Sequence, residues 1–340
     1  MERGADWAIW TEGLTKDFGR VRAVDGADLR VPAGKVYGFV GPNGSGKTTA
    51  IAMLLGLMRP TRGQVRVLGQ QPRSPGFYRA LARVGALVQA PAFYPFLSGR
   101  DNLRVLGSVA RRVEEREIER ALDRVGLLSR AGDRYAAYSL GMRQRLAIAL
   151  ALLGEPELII LDEPTNGLDP EGIREVRGLI RSLGQEGRTI FLSSHLLHEV
   201  EQVCDEVGVI LRGRVVAQGP VRALLGIRGL KVRVAGELPG GDSGEAAGAG
   251  VGEAQQGGSG KAVTARAAAV VRALPWKPRV EVQDGCLWVD APPERGAELT
   301  RALAAAGLWV SEMVPLRSSL EQYFFEVAGR EAAPGRAGAG

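Results

Sequence analysis

Val36-Tyr37-Gly38-Phe39-Val40-Gly41-Pro42-Asn43-Gly44-Ser45-Gly46-Lys47-Thr48-Thr49-Ala50-Ile51-Ala52-Met53-Leu54 joins an apolar run to a glycine-rich stretch, and that stretch to a second apolar run. Strand, glycine loop and helix in that order are what a phosphate-binding loop requires. Glycines let successive backbone N–H groups turn inward around an anion, and the following helix points its positive end at the same place. A lysine at position 47 would reach the β- and γ-oxygens of a nucleotide, and the Thr48 hydroxyl is placed to ligate Mg²⁺. Only six of the 44 basic residues are lysines, so Lys47 is not the product of a lysine-rich composition. The bland alternative is a glycine-rich turn, which would not need a strand and a helix on the correct sides.

Working outward, 340 residues suffice for one large domain and a smaller one, and 45% hydrophobic with 24% charged residues describes an ordinary globular chain. The longest apolar run, about Leu146 to Leu153, falls far short of the roughly 20 residues that cross a bilayer. Met1-Glu2-Arg3-Gly4-Ala5-Asp6 lacks the pattern of a signal peptide, and Cys204 and Cys286 make neither a disulfide framework nor a zinc site. A cytoplasmic location is therefore expected. The net charge of +6 suits an anionic surface but serves solubility equally well.

Residues 1–225 alternate short apolar strands with amphipathic helices, which predicts an α/β domain with a mixed sheet. The expected strands are Ala8–Thr11, Ala23–Arg30, Val36–Val40, Gln64–Val67, Arg83–Val88, Leu158–Leu161, Thr189–Ser193, Glu206–Leu211 and Arg214–Gln218. A helical subdomain is expected over about 95–150, with helices Asp101–Arg112 and Glu114–Leu128 and a third over Met142–Leu153. The charged run Arg111-Arg112-Val113-Glu114-Glu115-Arg116-Glu117 reads as a solvated helix junction.

A second domain is expected over 226–330, with a Gly/Ala-rich flexible insert at 236–260 and a disordered tail at 331–340. Its pattern is strand Leu230–Ala235, helix Lys261–Leu274, strands Arg279–Gln283 and Cys286–Asp290, helix Glu294–Ala306 and strand Leu308–Val314. That is a small α+β domain in the βαββαβ ferredoxin-like order. A last helix is expected over Ser319–Val327.

Glu157-Leu158-Ile159-Ile160-Leu161 reads as a buried strand ending in Asp162-Glu163. A carboxylate at a strand tip beside the phosphate loop suits the Mg²⁺ hydration shell, which assigns Asp162 to the metal. Strand alternation sends Glu163 to the other side of the tip, where it would polarise water for attack on a γ-phosphate. Taken alone, two acids at a strand end would read as a cap or a solvated turn.

Glu157 to Pro170 (ELIILDEPTNGLDP), the run GPNGSGKTT at Gly41–Thr49, and Tyr138-Ser139-Leu140-Gly141-Met142-Arg143-Gln144-Arg145 together resemble the ATP-binding subunits of ABC transporters over residues 8–225. The resemblance is strongest to the drug- and antibiotic-export branch, which includes daunorubicin and bacitracin resistance ATPases. There YS-x-GM-x-QRL replaces the commoner LSGGQ, and Ser319–Gly329 is similar to that branch's carboxy-terminal segment.

The resemblance implies a P-loop NTPase fold of ABC type binding Mg·ATP through Gly41, Pro42, Asn43, Gly44, Ser45, Gly46, Lys47, Thr48 and Thr49. It implies that Phe18 stacks on adenine, and that Gln89 reaches Mg²⁺ and the attacking water. Ser139, Gly141 and Met142 would meet the γ-phosphate held by a second subunit, with Met142 contributing only its backbone. Asp169 would lie between the two sites, and His195 rather than His198 would contact the γ-phosphate. Glu163 and His195 would be catalytic. The implied partners are a second nucleotide-binding domain, identical or related, and an integral membrane permease at the inner face of the membrane; no nucleic acid is expected. The alternative, a soluble ABC-type ATPase acting on nucleic acid or ribosomes, fits poorly. Only about fifty residues separate Gln89 from Ser139, too few for a coiled-coil arm, and there is no cysteine cluster.

Overall fold

The computed structural model describes residues 7–88, 92–109, 112–225, 227–235, 256–317 and 319–324. The chain divides into two compact units, Met1–Leu224 with Leu320–Gly340, and Leu225–Ser319.

In the first unit, β1 (Trp7–Phe18), β2 (Val21–Ala27), β3 (Arg30–Pro32), β4 (Val36–Val40), α1 (Lys47–Leu54), β5 (Arg62–Val67), α2 (Phe77–Leu81) and β6 (Val84–Leu87) come first. A helical segment follows, α3 (Gly99–Ser108), α4 (Glu115–Arg124) and α5 (Leu140–Leu152). The unit continues with β7 (Leu158–Asp162), α6 (Pro170–Gln185), β8 (Thr189–Ser194), α7 (Leu197–Val203), β9 (Glu206–Leu211), β10 (Arg214–Pro220) and α8 (Val221–Leu224). Six strands form the central sheet in the order β10-β9-β4-β8-β7-β6, parallel except for β10. A second, antiparallel sheet is built on β1, which pairs with β2, β3 and β5.

Parallel strands covered on both faces read as continuous apolar runs, and all five residues of β4 are buried. Tyr37 stacks on Phe191 at 5.7 Å, and Phe39 packs against the same ring at 5.5 Å. Gly38 is obligatory for a different reason. A Cβ there would lie 2.4 Å from Val200 Cγ1, so its absence lets α7 settle directly on β4.

Several expectations change. Ala23–Arg30 is not one strand: β2 ends at Ala27 and β3 begins at Arg30. The buried Thr11 hydroxyl plugs the interruption, donating to Ala27 O and accepting from Leu29 N–H, both at 2.8 Å. The helix expected from Asp101 starts two residues earlier, because Ser98 is its cap and accepts from Asp101 N–H at 3.0 Å. Of the charged run expected as a helix junction, Arg111 lies outside the described residues and α4 begins at Glu115.

The second unit comprises β11 (Ile227–Ala235), α9 (Gln256–Arg272), β12 (Val280–Gln283), β13 (Cys286–Val289), α10 (Gly296–Ala305) and β14 (Trp309–Arg317), and its four strands form an antiparallel sheet in the order β12-β13-β11-β14. Leu230, Val232, Leu287 and Val289 pack with Ala267, Val271, Leu299 and Leu303 of the two helices. The helix α9 starts at Gln256, inside the segment expected to be a flexible insert. Within it the Thr264 hydroxyl donates back to Gly260 O at 2.8 Å, one turn earlier in the helix. The helix expected from Glu294 opens instead with a 3₁₀ turn, Pro293–Arg295.

The second unit ends at Ser319, short of the expected 330. Residues 320–324 are helical and belong to the first unit, where Leu320 N–H donates to Glu201 Oε1. Residues 236–255, the end of the helix expected to Val327, and the tail 331–340 lie outside the described residues.

Candidate functional site

The loop between β4 and α1 is shaped by backbone geometry that side chains oppose. Gly46, the cap of α1, has φ +105°, and a Cβ there would stand 2.4 Å from Ala23 O. The first N–H of the loop, on Gly41, donates to Ser194 O at 3.3 Å, which registers the loop against the end of β8. Ser45 is buried, and Lys47 is only 5% exposed. The Lys47 ammonium donates to Gly41 O at 2.7 Å and Pro42 O at 3.3 Å, and lies 3.1 Å from Glu163 Oε1.

Strand β7 brings the acids to this loop. Thr48 Oγ1 donates to Asp162 Oδ2 at 2.9 Å, and Ser193 Oγ donates to Asp162 Oδ1 at 2.5 Å. Glu163 does not continue the strand alternation. Its φ of +51° turns the backbone out of the extended conformation, so its carboxylate reaches Lys47 while Asp162 holds Thr48 next door. The two acids therefore converge on the start of α1, where alternation had placed them on opposite sides. His195 Nδ1 lies 2.8 Å from Glu163 Oε2. The structure thus joins Lys47, Glu163 and His195 in one set of contacts and Thr48 with Asp162 in another, and Ser193 bridges the two acids. His198 is exposed and pairs with Gln202 instead.

The other sequence-predicted residues fall elsewhere. Phe18 is 48% exposed at the end of β1, with Lys16 Nζ 5.2 Å from its ring centre, so it is not a buried strand-end aromatic. Ser139 caps α5, accepting from Met142 N–H at 3.2 Å, and Asp169 caps α6, accepting from Gly172 N–H at 2.9 Å. Helix α5 begins at Leu140 rather than Met142. Ser139, Gly141 and Asp169 line one open cleft of about 370 Å³, whose lining includes none of Gly41–Thr48. Gln89 lies outside the described residues.

Sequence reading missed three residues: Ser193 and Ser194, which brace the acids and the loop, and Asn102. The Asn102 amide is fully buried, accepts from Tyr94 N–H at 2.7 Å, and donates to Tyr94 O and Ser98 O at 3.1 and 3.0 Å. It fixes a loop that presents the exposed rings of Tyr94 and Phe96. The available signal was polar residues within or beside apolar periodic runs.

A glycine-lined loop at a helix start, a buried lysine and two strand-tip carboxylates define a P-loop nucleotide-hydrolysing protein with an inserted helical segment. The comparisons resolve the class further. The ABC transporter family matches residues 24–166. The chain is 36% identical over 325 residues to the bacitracin transport ATP-binding protein BcrA of Enterococcus faecalis, covering 95% of this chain and 97% of that one. It is 35% identical to the daunorubicin resistance ATP-binding protein DrrA3 of Streptomyces coeruleorubidus, covering 96% and 97%. Among solved structures, cbiO1 from Clostridium perfringens, part of the ABC transporter complex cbiONQ, superposes with a TM-score of 0.58 at 29% identity, covering 64% of this chain and 90% of that one. The chain belongs to the ATP-binding subunits of ABC transporters, and it binds and hydrolyses ATP. Among the described residues no helix is long and apolar enough to cross a membrane.

Proposed function

We propose that this chain powers the export of a drug, antibiotic or lipid-like compound through a separate membrane permease, with two nucleotide-binding domains closing head to tail on Mg·ATP. One observation carries the reading: at the start of one helix Lys47, Glu163 and His195 are joined by contacts of 3.1 Å or less, Thr48 and Asp162 by one of 2.9 Å, and Ser193 bridges the two acids. Export is supported by similarity to bacitracin and daunorubicin resistance proteins over nearly the whole chain.

Each residue has a physical part. Loop N–H groups and Lys47 bind the triphosphate, and the exposed Phe18 ring offers a stacking face for adenine. Thr48 Oγ1 and Asp162 Oδ2, two hard oxygen donors 2.9 Å apart, suit Mg²⁺, which takes few protein ligands and completes its shell with phosphate and water. When bound, Mg²⁺ supplies charge neutralisation for phosphoryl transfer. Glu163 orients the attacking water and draws off its proton, and His195 holds the Glu163 carboxylate. Gln89 is assigned to the metal and water by resemblance alone.

Ser139 and Asp169 cap two helix starts that share a cleft, and Gly141 lies in the same cleft. The α5 start, capped by the neutral Ser139 hydroxyl, favours an anion, whereas the α6 start already holds the Asp169 carboxylate; this cleft on one copy would cover the γ-phosphate on the Lys47 loop of the other through α5. Two half-sites that cannot separately neutralise the triphosphate make ATP the link between copies, and hydrolysis lets them part. The exposed Tyr94 and Phe96 beside α3 offer an apolar face to the permease at the inner surface of the membrane.

Glu163→Gln is expected to bind ATP, stop turnover and accumulate as a dimer under size-exclusion with light scattering. Steady-state hydrolysis at the wild-type rate would remove Glu163 from catalysis. A strictly monomeric, ATP-loaded variant would remove the head-to-tail pairing.

A further inference from the structure

Ser193 is the last residue of β8 paired with β7, opposite Asp162, and it is fully buried. The three residues before it, Ile190, Phe191 and Leu192, are apolar, as a covered parallel strand demands. A buried hydroxyl in that position is retained at a cost unless its hydrogen-bonding capacity is used.

It is used fully. A serine hydroxyl has one proton to donate and lone pairs to accept with. The proton goes to Asp162 Oδ1 at 2.5 Å, the short distance of a charge-assisted bond, and the oxygen accepts from Glu163 N–H at 2.9 Å. Since Thr48 holds the other Asp162 oxygen, both oxygens of that carboxylate are tethered and its rotation is removed. The β7–β8 pairing stops at Asp162 and Ser193, so the Glu163 N–H has passed the end of the ladder. The Ser193 hydroxyl is its partner. Glu163 sits at φ +51°, a conformation glutamate rarely adopts and which persists only where the surroundings impose it.

We propose that Ser193 is a positioning residue for ATP hydrolysis. One buried hydroxyl sets the rotation of the Asp162 carboxylate and holds the turn that aims Glu163 at Lys47 and His195, so the metal-side acid and the water-side acid are fixed relative to each other. This rests on the roles assigned above to Asp162 and Glu163.

The test measures Ser193→Ala and Ser193→Cys beside Glu163→Gln, reading kcat, KM, thermal midpoint, and nucleotide affinity with Mg²⁺ and with a chelator. Ser193→Ala is expected to lower kcat by about 10- to 100-fold, the usual cost of losing a group that orients a metal-side ligand. Its affinity for metal-free ATP should be unchanged, while the gain in affinity on adding Mg²⁺ shrinks. A merely structural role predicts the opposite split, with thermal midpoint and metal-free affinity falling together at an unchanged kcat, and that result overturns the proposal. If the alanine variant does not fold, Ser193→Cys decides, since the slightly larger sulfur fills the site but donates weakly. A folded cysteine variant with wild-type kcat and Mg²⁺ response overturns the proposal, and one with reduced values supports it. Continued turnover in Glu163→Gln would fault the underlying site assignment; an inactive Glu163→Gln beside a fully active Ser193→Ala faults only the role of Ser193.

Discussion

Lys47 and Glu163 form an ion pair, Nζ to Oε1 at 3.1 Å, with the lysine side chain 6% and the glutamate side chain 19% exposed. The lysine proposed to bind phosphate and the acid proposed to direct water therefore neutralise one another across the loop. A phosphate approaching Lys47 competes with Glu163 for the same ammonium.

That competition gives the first prediction. Glu163→Gln removes the competing charge, so it is expected to bind ATP about three- to tenfold more tightly than wild type, about 0.6–1.4 kcal/mol. The measurement is a fluorescence titration in a chelator, where neither protein hydrolyses. Equal or weaker binding would show that the contact does not compete with nucleotide.

Asn102 supplies the second. Replacing it with alanine strands the Tyr94 N–H and takes one accepted hydrogen bond from each of Tyr94 O and Ser98 O, which keep backbone partners, and is expected to cost about 1–3 kcal/mol. Urea denaturation reads this directly, and a loss below about 0.5 kcal/mol would place it among ordinary surface changes and refute the bracing role.

Tyr37 runs the other way. Its hydroxyl is buried with no hydrogen-bond partner among the described residues, and burial raises the phenol well above its ordinary range, with Glu206 adding to the shift. Tyr37→Phe keeps the ring that stacks on Phe191 and deletes only the stranded group. A gain of about 1 kcal/mol is expected from thermal or urea unfolding. A loss would mean that the hydroxyl has a partner in solution.

Glu206 makes stability depend on pH. Burial holds its carboxyl above the usual carboxylate range, Lys35 opposes the shift, and Asp205 reinforces it. A group whose folded pKa is raised contributes stability that is complete below its unfolded pKa and is lost as pH rises through the folded value. Glu206→Gln is therefore expected to raise the thermal midpoint at pH 7, with the advantage vanishing below about pH 4. An advantage independent of pH would exclude ionisation as the cause.

The phosphate loop, the apolar strand before it and the acids ending Leu158–Asp162 were legible because each is a local pattern: glycine spacing, an unbroken apolar run, charges at a strand tip. The βαββαβ order was legible in the same way, since short strands and helices alternate with their own periods. What escaped was anything set by a distant neighbour. The break between β2 and β3 depends on Thr11, more than ten residues upstream.

The site divides along the same line. Residue type and order single out Lys47, Thr48 and Asp162 as candidates to hold a triphosphate and its metal, and Glu163 as the candidate catalytic acid. They do not set the arrangement. Strand alternation sends Glu163 away from Asp162, and only the folded chain shows the turn at φ +51° that brings both to the start of α1. That turn is held by Ser193, thirty residues further along on an adjacent strand. Chemistry resides in side chains and is written locally; the aim of each group is decided by strand pairing, which joins residues whose separation along the chain carries no signal.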